Sequence, residues 1–531
     1  MRMKTIVRGL GLALLVSTAA CKSLDITNPN EPDVGRLLAD PEGVLVGGGM
    51  ATWVNTYEGL NGGGPLVTQA QTYSASWNNF NMNFYSGLDN FTPGTFAGAN
   101  RNTRGWVNDP ASGRRIPMEH YWTGYYSSLA LVNAVIRAIR VDGFELTTVA
   151  DTRRAETVAL LIAGASLSGI AMNYDKGYVI DETTDITAPF VFENRKVVRD
   201  AALAKFGEAI ALANANPFTT PNGWLNGNTY TNVQIAKTAN TMAAFLLANY
   251  PRDATEAAAV NWAQVVTYAS AGLSSGTPND FGFIGDGCSA WCPEVITWFN
   301  SMDTGRLHTR VSNMLAASQV NPYPAGGNPQ PASLDRRLGN GAFGTPEMVA
   351  GFGNVPLTPG NTAGAGTDFA YSTQEIFNPA RGTFHQSNIA HIRYDLTGEQ
   401  ASNGIYLGFG PAPLFSSGQN DLLWAEGLLR QAVPNLALAA TKINNTRVTR
   451  GGLTAAAAGD GQAALLASLS YEMEMELLGL GAASYYHRRR AVGGLITGTP
   501  REMPVPAKEL GVRAMPLYTW GGATPNSPTP P

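Results

Sequence analysis

Cysteine and histidine are scarce in this chain. Three cysteines (Cys21, Cys288, Cys292) and five histidines (His120, His308, His385, His391, His487) serve 531 residues. A metal centre needs ligands grouped at set spacings. No H-E-x-x-H occurs, and His385 and His391 do not share a helical face. No metal is expected, and the histidines read as loop or surface residues. Charge is sparse as well, at 14% of residues, with a formal net charge of −4. Nucleic acid wants a basic face, so it is excluded as a partner. Past the N-terminus, no run reads as apolar and charge-free over the roughly 20 residues of a membrane span. A P-loop, a dinucleotide fingerprint in a β-α-β setting and a G-x-S-x-G elbow are all missing. No catalytic residue, cofactor or enzymatic activity is expected.

What is present starts at the N-terminus. Arg2 and Lys4 precede "IVRGLGLALLVSTAA", and Cys21 follows. A basic start, a short apolar stretch and small residues before a cut site form a secretory signal. Cleavage after residue 20 would leave Cys21 first, and Thr18-Ala19-Ala20-Cys21 resembles a lipobox, with Thr18 in the usual Leu position. Residues 1–20 are therefore expected to be a lipoprotein signal peptide. Lipidated Cys21 would be the chain's one attachment to a membrane. The alternative is an ordinary signal with Cys21 incidental.

The other two cysteines lie in "GDGCSAWCPEV". An exported chain meets an oxidising compartment, where disulfides persist. The spacing is not the Cys-x-x-Cys of redox sites, and no histidine cluster is near. A structural Cys288–Cys292 disulfide is the first expectation and free buried thiols the second.

Helical periodicity recurs along the chain. Leu129, Val132, Val135, Ile136 and Ile139 mark one stripe, and Val198, Ala202, Phe206, Ala209 and Ala213 another. Between them, "RRAETVALLIAGASLSGIAMNYDKG" carries Ala and Gly that would let a neighbouring helix approach. Further helical segments are "VQIAKTANTMAAFLLANY", "NWAQVVTYASAGL", "DLLWAEGLLRQAV", "NLALAATKINNTRV" and "GQAALLASLSYEMEMELLGL". Strands are hard to find. Gly427 and Ala439 have the spacing at which the two helices of a tetratricopeptide unit touch, with Leu423 and Ile443 at large-apolar positions. Residues 60–117 and 272–418 have loop composition, rich in Gly, Pro, Asn and Thr. The tail, 521–531, is expected to be disordered. Glu472, Glu474 and Glu476 spread around a helix and read as a solvated or salt-bridged surface, with "YYHRRR" (Tyr485 to Arg490) as their partner.

Taken in order, these segments resemble a known family. Cys21 is followed by "LDITNPNEP", then by the Ala-rich helix and "DLLWAEGLLRQAVPNLALAATKINNTRVTRGGL". Next come the glutamate helix, Tyr485 to Arg490, and Pro504-Val505-Pro506 with Glu509. This resembles the SusD/RagB family of outer-membrane nutrient-binding lipoproteins. The family's Glu-Gly-x-Arg is replaced here by Leu480-Gly481-Ala482-Ala483. The resemblance implies a mostly α fold in one domain, 21–520, with about four tetratricopeptide-like helical hairpins and a loop-rich ligand side. It implies a lipid-anchored protein exposed at the outer-membrane surface. That protein binds an oligosaccharide, or else a peptide, and delivers it to a SusC-like TonB-dependent transporter. The alternative is a tetratricopeptide-type scaffold that binds only protein in the cell envelope. An exported glycan hydrolase ranks last, because the facing carboxylates it needs cannot be read from spacing.

For ligand contact, the candidates are aromatics in neutral polar loops. Trp77 stands in "QTYSASWNNFNMNFYSGLDN", Trp291 inside the cysteine loop, and Trp298 just after it. Sugar rings stack their C–H faces on aromatics, and pockets combine apolar walls with a few fixed polar groups. The competing role for each ring is to pin its loop to the helical body.

Overall fold

The structure is a computed structural model. It describes residues 40–75, 107–275, 280–300, 305–324, 326–338, 366–371, 385–394, 408–495 and 499–519. A π-helical turn at Glu42–Gly47 leads into α1 (Gly48–Tyr57), then α2 (Leu60–Gln69) and β1 (Tyr73–Ala75). Two long helices follow, α3 (Ile116–Arg140) and α4 (Val149–Asn173), then β2 (Lys176–Gly177) and β3 (Glu193–Asn194). Next are α5 (Arg195–Ala215), α6 (Asn232–Asn249), α7 (Ala254–Ala258) and α8 (Trp262–Ala271). The middle holds β4 (Phe281–Asp286), α9 (Glu294–Asn300), β5 (Gly305–Leu307), α10 (Thr309–Leu315), β6 (Phe369–Tyr371), β7 (Ile389–His391) and β8 (Phe409–Phe415). The C-terminal part is α11 (Ser417–Arg430), α12 (Leu436–Arg447), α13 (Gly461–Glu476), α14 (Ala483–Arg489) and α15 (Ala507–Val512).

The fold is mostly α, and its helices stack in chain order. α1 packs on α3, α3 on α4, α4 on α5, α5 on α6, α6 on α8, α8 on α11 and α11 on α12. These pair as four helical hairpins, α1/α3, α4/α5, α6/α8 and α11/α12, with α13 closing over the last. Local sequence starts the helices. Thr148, Asn194, Ser416 and Asn435 each accept a backbone N–H of the first turn, and Thr231 with Gln234 forms a capping box. The α5 stripe from Val198 to Ala213 is fully buried. α4 is buried all round from Ala155 to Asn173. By length and hydropathy it could cross a membrane, which the sequence reading overlooked, yet its apolar window is wholly enclosed by protein. Its small residues do bring neighbours close: a Cβ on Gly164 would stand 2.7 Å from Phe206 of α5.

Several expectations need correction. Residues 60–117 are not all loop, because "LNGGGPLVTQ" is α2. Its glycines are there for proximity, since a Cβ on Gly63 would meet Val295 of α9 at 2.5 Å. Residues 272–418 hold antiparallel pairs, β4 with β8 and β6 with β7, and β5 pairs with β1. Gly427 lies closest to α8, since a Cβ there would be 2.8 Å from Val266 Cγ2 and 3.2 Å from the Trp262 carbonyl oxygen; Ala439 is buried in the core.

The glutamates of α13 are not a solvated surface. Glu472, Glu474 and Glu476 are all buried, and each has guanidinium partners. Arg337 donates to Asp335 at 2.7 Å and to both Glu472 and Glu476 at 2.9 Å. Glu476 also accepts from Arg393 at 2.7 Å and Arg450 at 2.9 Å. Arg310 and Arg488 hold Glu474. Of the basic run, only Arg488 pairs with this glutamate series. Arg489 donates to the Met172 and Asn249 carbonyls, and Arg490 pairs with Glu426. Charges removed from water need partners of this kind. The network joins the irregular segments near 335–337, 368 and 393 to α13. Beside it lies a second apolar core with Val67, Phe299, Leu307, Met475 and Leu478.

The histidines also differ from expectation. His308 and His391 are fully buried rather than on the surface. His308 accepts the Arg310 N–H at 2.9 Å and stacks on His385 at 4.9 Å. His391 Nδ1 lies 2.8 Å from the Tyr73 hydroxyl. Their role here is to fill polar core positions. Among the described residues, no group of His, Cys, Asp or Glu is placed to hold a metal.

Candidate ligand-binding face

The face is built outward from β4. Asp286 ends that strand, and its Oδ1 accepts three successive N–H groups, from Ser289, Ala290 and Trp291, at 3.0, 3.1 and 3.0 Å. The chain turns at Gly287 and Cys288, with φ of +79° and +60°. A disulfide joins Cys288 to Cys292, Cα atoms 4.1 Å apart. Asn55 of α1 binds the loop from the other side, donating to the Ala290 carbonyl at 2.8 Å and accepting the Cys292 N–H at 3.4 Å. A loop fixed by a carboxylate, a covalent bond and a neighbouring helix loses little entropy when it meets a ligand.

α9 follows directly. Glu294 accepts the Leu60 N–H at 2.6 Å, placing a carboxylate at the N-terminus of α2, where the helix dipole favours negative charge. Val295 N–H donates to the Glu58 carbonyl at 3.0 Å. Val295, Ile296 and Phe299 point inward, and Phe299 stacks on Tyr73 at 4.9 Å. Trp298, on the same helix, is 38% exposed.

The three candidate tryptophans have different positions. Trp298 presents surface near the end of a helix anchored by Val295, Ile296 and Phe299. Trp291 does not: it is 7% exposed and packs on Phe283, ring centroids 5.5 Å apart. The expectation of an open Trp291 ring is corrected by that packing, because the cysteine loop folds the ring inward onto β4. Trp77 lies outside the described residues. The strand that leads toward it is placed, with Ala75 opposite Gly305 in the β1–β5 pair. Gly305 in turn lies against Trp298, since a Cβ on it would be 2.9 Å from the Trp298 carbonyl oxygen. Cys21 also lies outside the described residues.

Beneath this face is a buried polar group that the sequence reading missed. Glu58 closes α1 and is completely enclosed. Burial pushes its carboxyl well above the ordinary value, and the Gly481 N–H offsets only part of that. Burial, aided by Arg393 and Arg450, pushes His391 down to about 3. His391 is therefore neutral at pH 7, and Glu58 is shifted toward its protonated form. No sequence signal marks them, because burial of a lone Glu after a helix depends on elements hundreds of residues away.

Comparison with solved structures decides the fold. A SusD superfamily protein from Bacteroides thetaiotaomicron superposes with a TM-score of 0.53 at 12% identity, over 85% of this chain and 88% of that one. The chain has a SusD-like fold. A SusD-like carbohydrate-binding protein from Bacteroides vulgatus gives a TM-score of 0.50 at 14% identity, over 83% and 81% of the two chains. No protein-family model and no curated protein matches the sequence. At such identity the likeness lies in the path of the chain.

Proposed function

We propose that this chain is a glycan-binding lipoprotein of the outer-membrane surface, which passes its ligand to a SusC-like TonB-dependent transporter. The observation that carries the reading is the SusD-like fold over most of the chain, with Trp298 exposed on its irregular side. One neighbour of that fold is itself described as carbohydrate-binding. An exposed indole on a rigid support suits the apolar face of a sugar ring, and Trp77 is proposed to stand with it. Binding, not bond cleavage, is the activity. Anchoring is proposed through lipid on Cys21, where two or more acyl chains would hold stably and one only marginally.

Calorimetry against a panel of oligosaccharides and peptides tests the reading. Saturable binding of a glycan by the intact protein supports it. Binding of peptides alone would replace the ligand class, and capture of a partner protein with neither ligand would favour the scaffold alternative. Intact mass of membrane-extracted protein should show residues 1–20 absent and lipid on Cys21. A Cys21→Ala protein should leave the outer-membrane fraction.

A further inference from the structure

A cavity of about 480 Å³ opens where α7, α8, α11, α13 and α14 meet. None of its lining residues belongs to α9 or the disulfide loop. Part of its lining is apolar, with short side chains such as Ala254 and Ala257, and Leu466. Another part is charged and ordered. Trp262 lies under two guanidinium groups, those of Arg430 and Arg490, at 5.5 and 5.6 Å from its ring centroid. Glu426 holds both cations in place. It accepts Arg430 Nε at 2.8 Å and the two terminal nitrogens of Arg490 at 2.9 and 2.5 Å.

The hydrogen-bond inventory leaves defined groups for a ligand. Glu426 is ionised and engaged at both oxygens: burial would raise its carboxyl, but Arg490 and then Arg430 outweigh this and hold it at about 2. Arg430 uses only Nε inside the protein. Its terminal nitrogens have no partner among the described residues, and its side chain is 46% exposed. His487 is neutral at pH 7, because burial and then Arg490 push it down to about 4. Its Nδ1 lies 2.9 Å from Arg490 Nη2 and must accept there, since a guanidinium only donates. The proton therefore sits on Nε2, which is a donor. Gln462 spends its amide nitrogen on the Leu429 carbonyl at 2.6 Å, and its Oε1 remains an acceptor. One carboxylate against two guanidiniums leaves a single positive charge, carried on the Arg430 fork.

We propose that this cavity is a second ligand site, which takes a monoanionic sugar ring with its carboxylate or sulfate on Arg430. The volume is that of small-molecule sites generally. A planar guanidinium fork matches an oxyanion through two parallel bonds. His487 and Gln462 then offer one donor and one acceptor to ring hydroxyls, and the alanine lining faces the C–H side. A hexuronate and a sulfated hexose both match one unbalanced positive charge. A neutral hexose leaves that charge without a partner.

The full chain, titrated by calorimetry with glucuronate, glucose 6-sulfate and glucose, tests this. The charged probes should bind measurably more tightly than glucose, and the tighter of the two identifies the class. Arg430→Gln should weaken the charged probes roughly ten- to a hundredfold, as expected for a lost bidentate charge-assisted pair. Its melting temperature should stay close to that of the parent. Arg430→Lys keeps the charge without the fork and should fall between, which preserves the test if the Gln variant folds poorly. Trp298→Ala should leave the preference for the charged probes over glucose unchanged, whatever it does to glycan binding at the face around α9, and so separates the two sites. Charged probes that bind no better than glucose, or an Arg430→Gln protein that binds as the parent does, would overturn the proposal.

Discussion

Trp291 and Trp298 carry the same side chain and stand in the same short stretch, yet do opposite things. Trp291 is enclosed against Phe283 and Trp298 is open to solvent. Trp291→Ala should therefore cost stability on the order of 3–5 kcal/mol, the range for emptying a large aromatic site. Trp298→Ala should leave the melting temperature nearly unchanged and weaken glycan binding by roughly 1 kcal/mol, severalfold in affinity. Thermal melts paired with calorimetry check both, and a Trp298→Ala protein that melts early with binding intact would make that ring an anchor. Glu58 gives a second residue-scale test. Its folded carboxyl is raised by burial, so the stability it contributes is full below the unfolded value near 4.5 and is lost as pH rises above it. Glu58→Gln removes that loss. The variant should melt much like the parent near pH 4 and progressively higher than the parent toward pH 8. A difference that is constant with pH would mean that Glu58 does not titrate as its burial requires.

Among the elements, the legible ones are those whose signals are local. The caps at Thr148, Thr231 and Ser416 and the stripe from Val198 to Ala213 depend on neighbours within a turn or two, and a single sequence displays them. α2 was illegible because its Gly run has poor helix propensity, and the contact with α9 that requires small residues joins segments far apart in the chain. The glutamates of α13 misled for the same reason: their partners Arg337, Arg393 and Arg450 come from distant segments. The cavity beside Trp262 draws on five helices, so no window of sequence contains it. Gly427 offers a test in which two effects compete. In a helix interior Ala is favoured over Gly by up to about 1 kcal/mol. A Cβ at Gly427, however, would stand 2.8 Å from Val266 Cγ2 and close to α8 backbone at Trp262 and Val266. A β-branched side chain and a backbone yield little, and overpacking costs about 1–3 kcal/mol. Gly427→Ala should thus be destabilising by about 1 kcal/mol net in urea unfolding. A stabilised variant would show that α8 and α11 can part without loss.

At the scale of the whole molecule, the helical hairpins form one stack and the irregular side is held to it by buried charge. That arrangement makes global stability depend on pH in a direction that the individual groups determine. Four histidines, His120, His308, His391 and His487, are lowered by burial, the last two to about 3 and about 4. Each takes a proton less readily in the folded chain than in the unfolded one, whose ordinary value is 6.5, so each contribution is lost as pH falls. Glu426, Glu474 and Glu476 are held at about 2, because their guanidinium partners outweigh burial. Their contributions are present above the ordinary 4.5 and are lost as pH falls toward 2. Glu58 and Glu472, raised by burial, act with the opposite sign, but only above 4.5, where their unfolded forms ionise. Between pH 7 and 4.5 the histidines and these two carboxyls therefore oppose one another. Below 4.5 the opposing pair is silent, and the lowered carboxylates join His391 in destabilising the fold. The melting temperature should vary gently down to about pH 4.5 and then fall steeply, as expected when paired carboxylates are forced to protonate. Thermal melts at half-unit steps from pH 8 to 3 measure this. An unbroken slope through pH 4.5 would mean that the buried Arg–Glu network around α13 does not hold its carboxylates ionised.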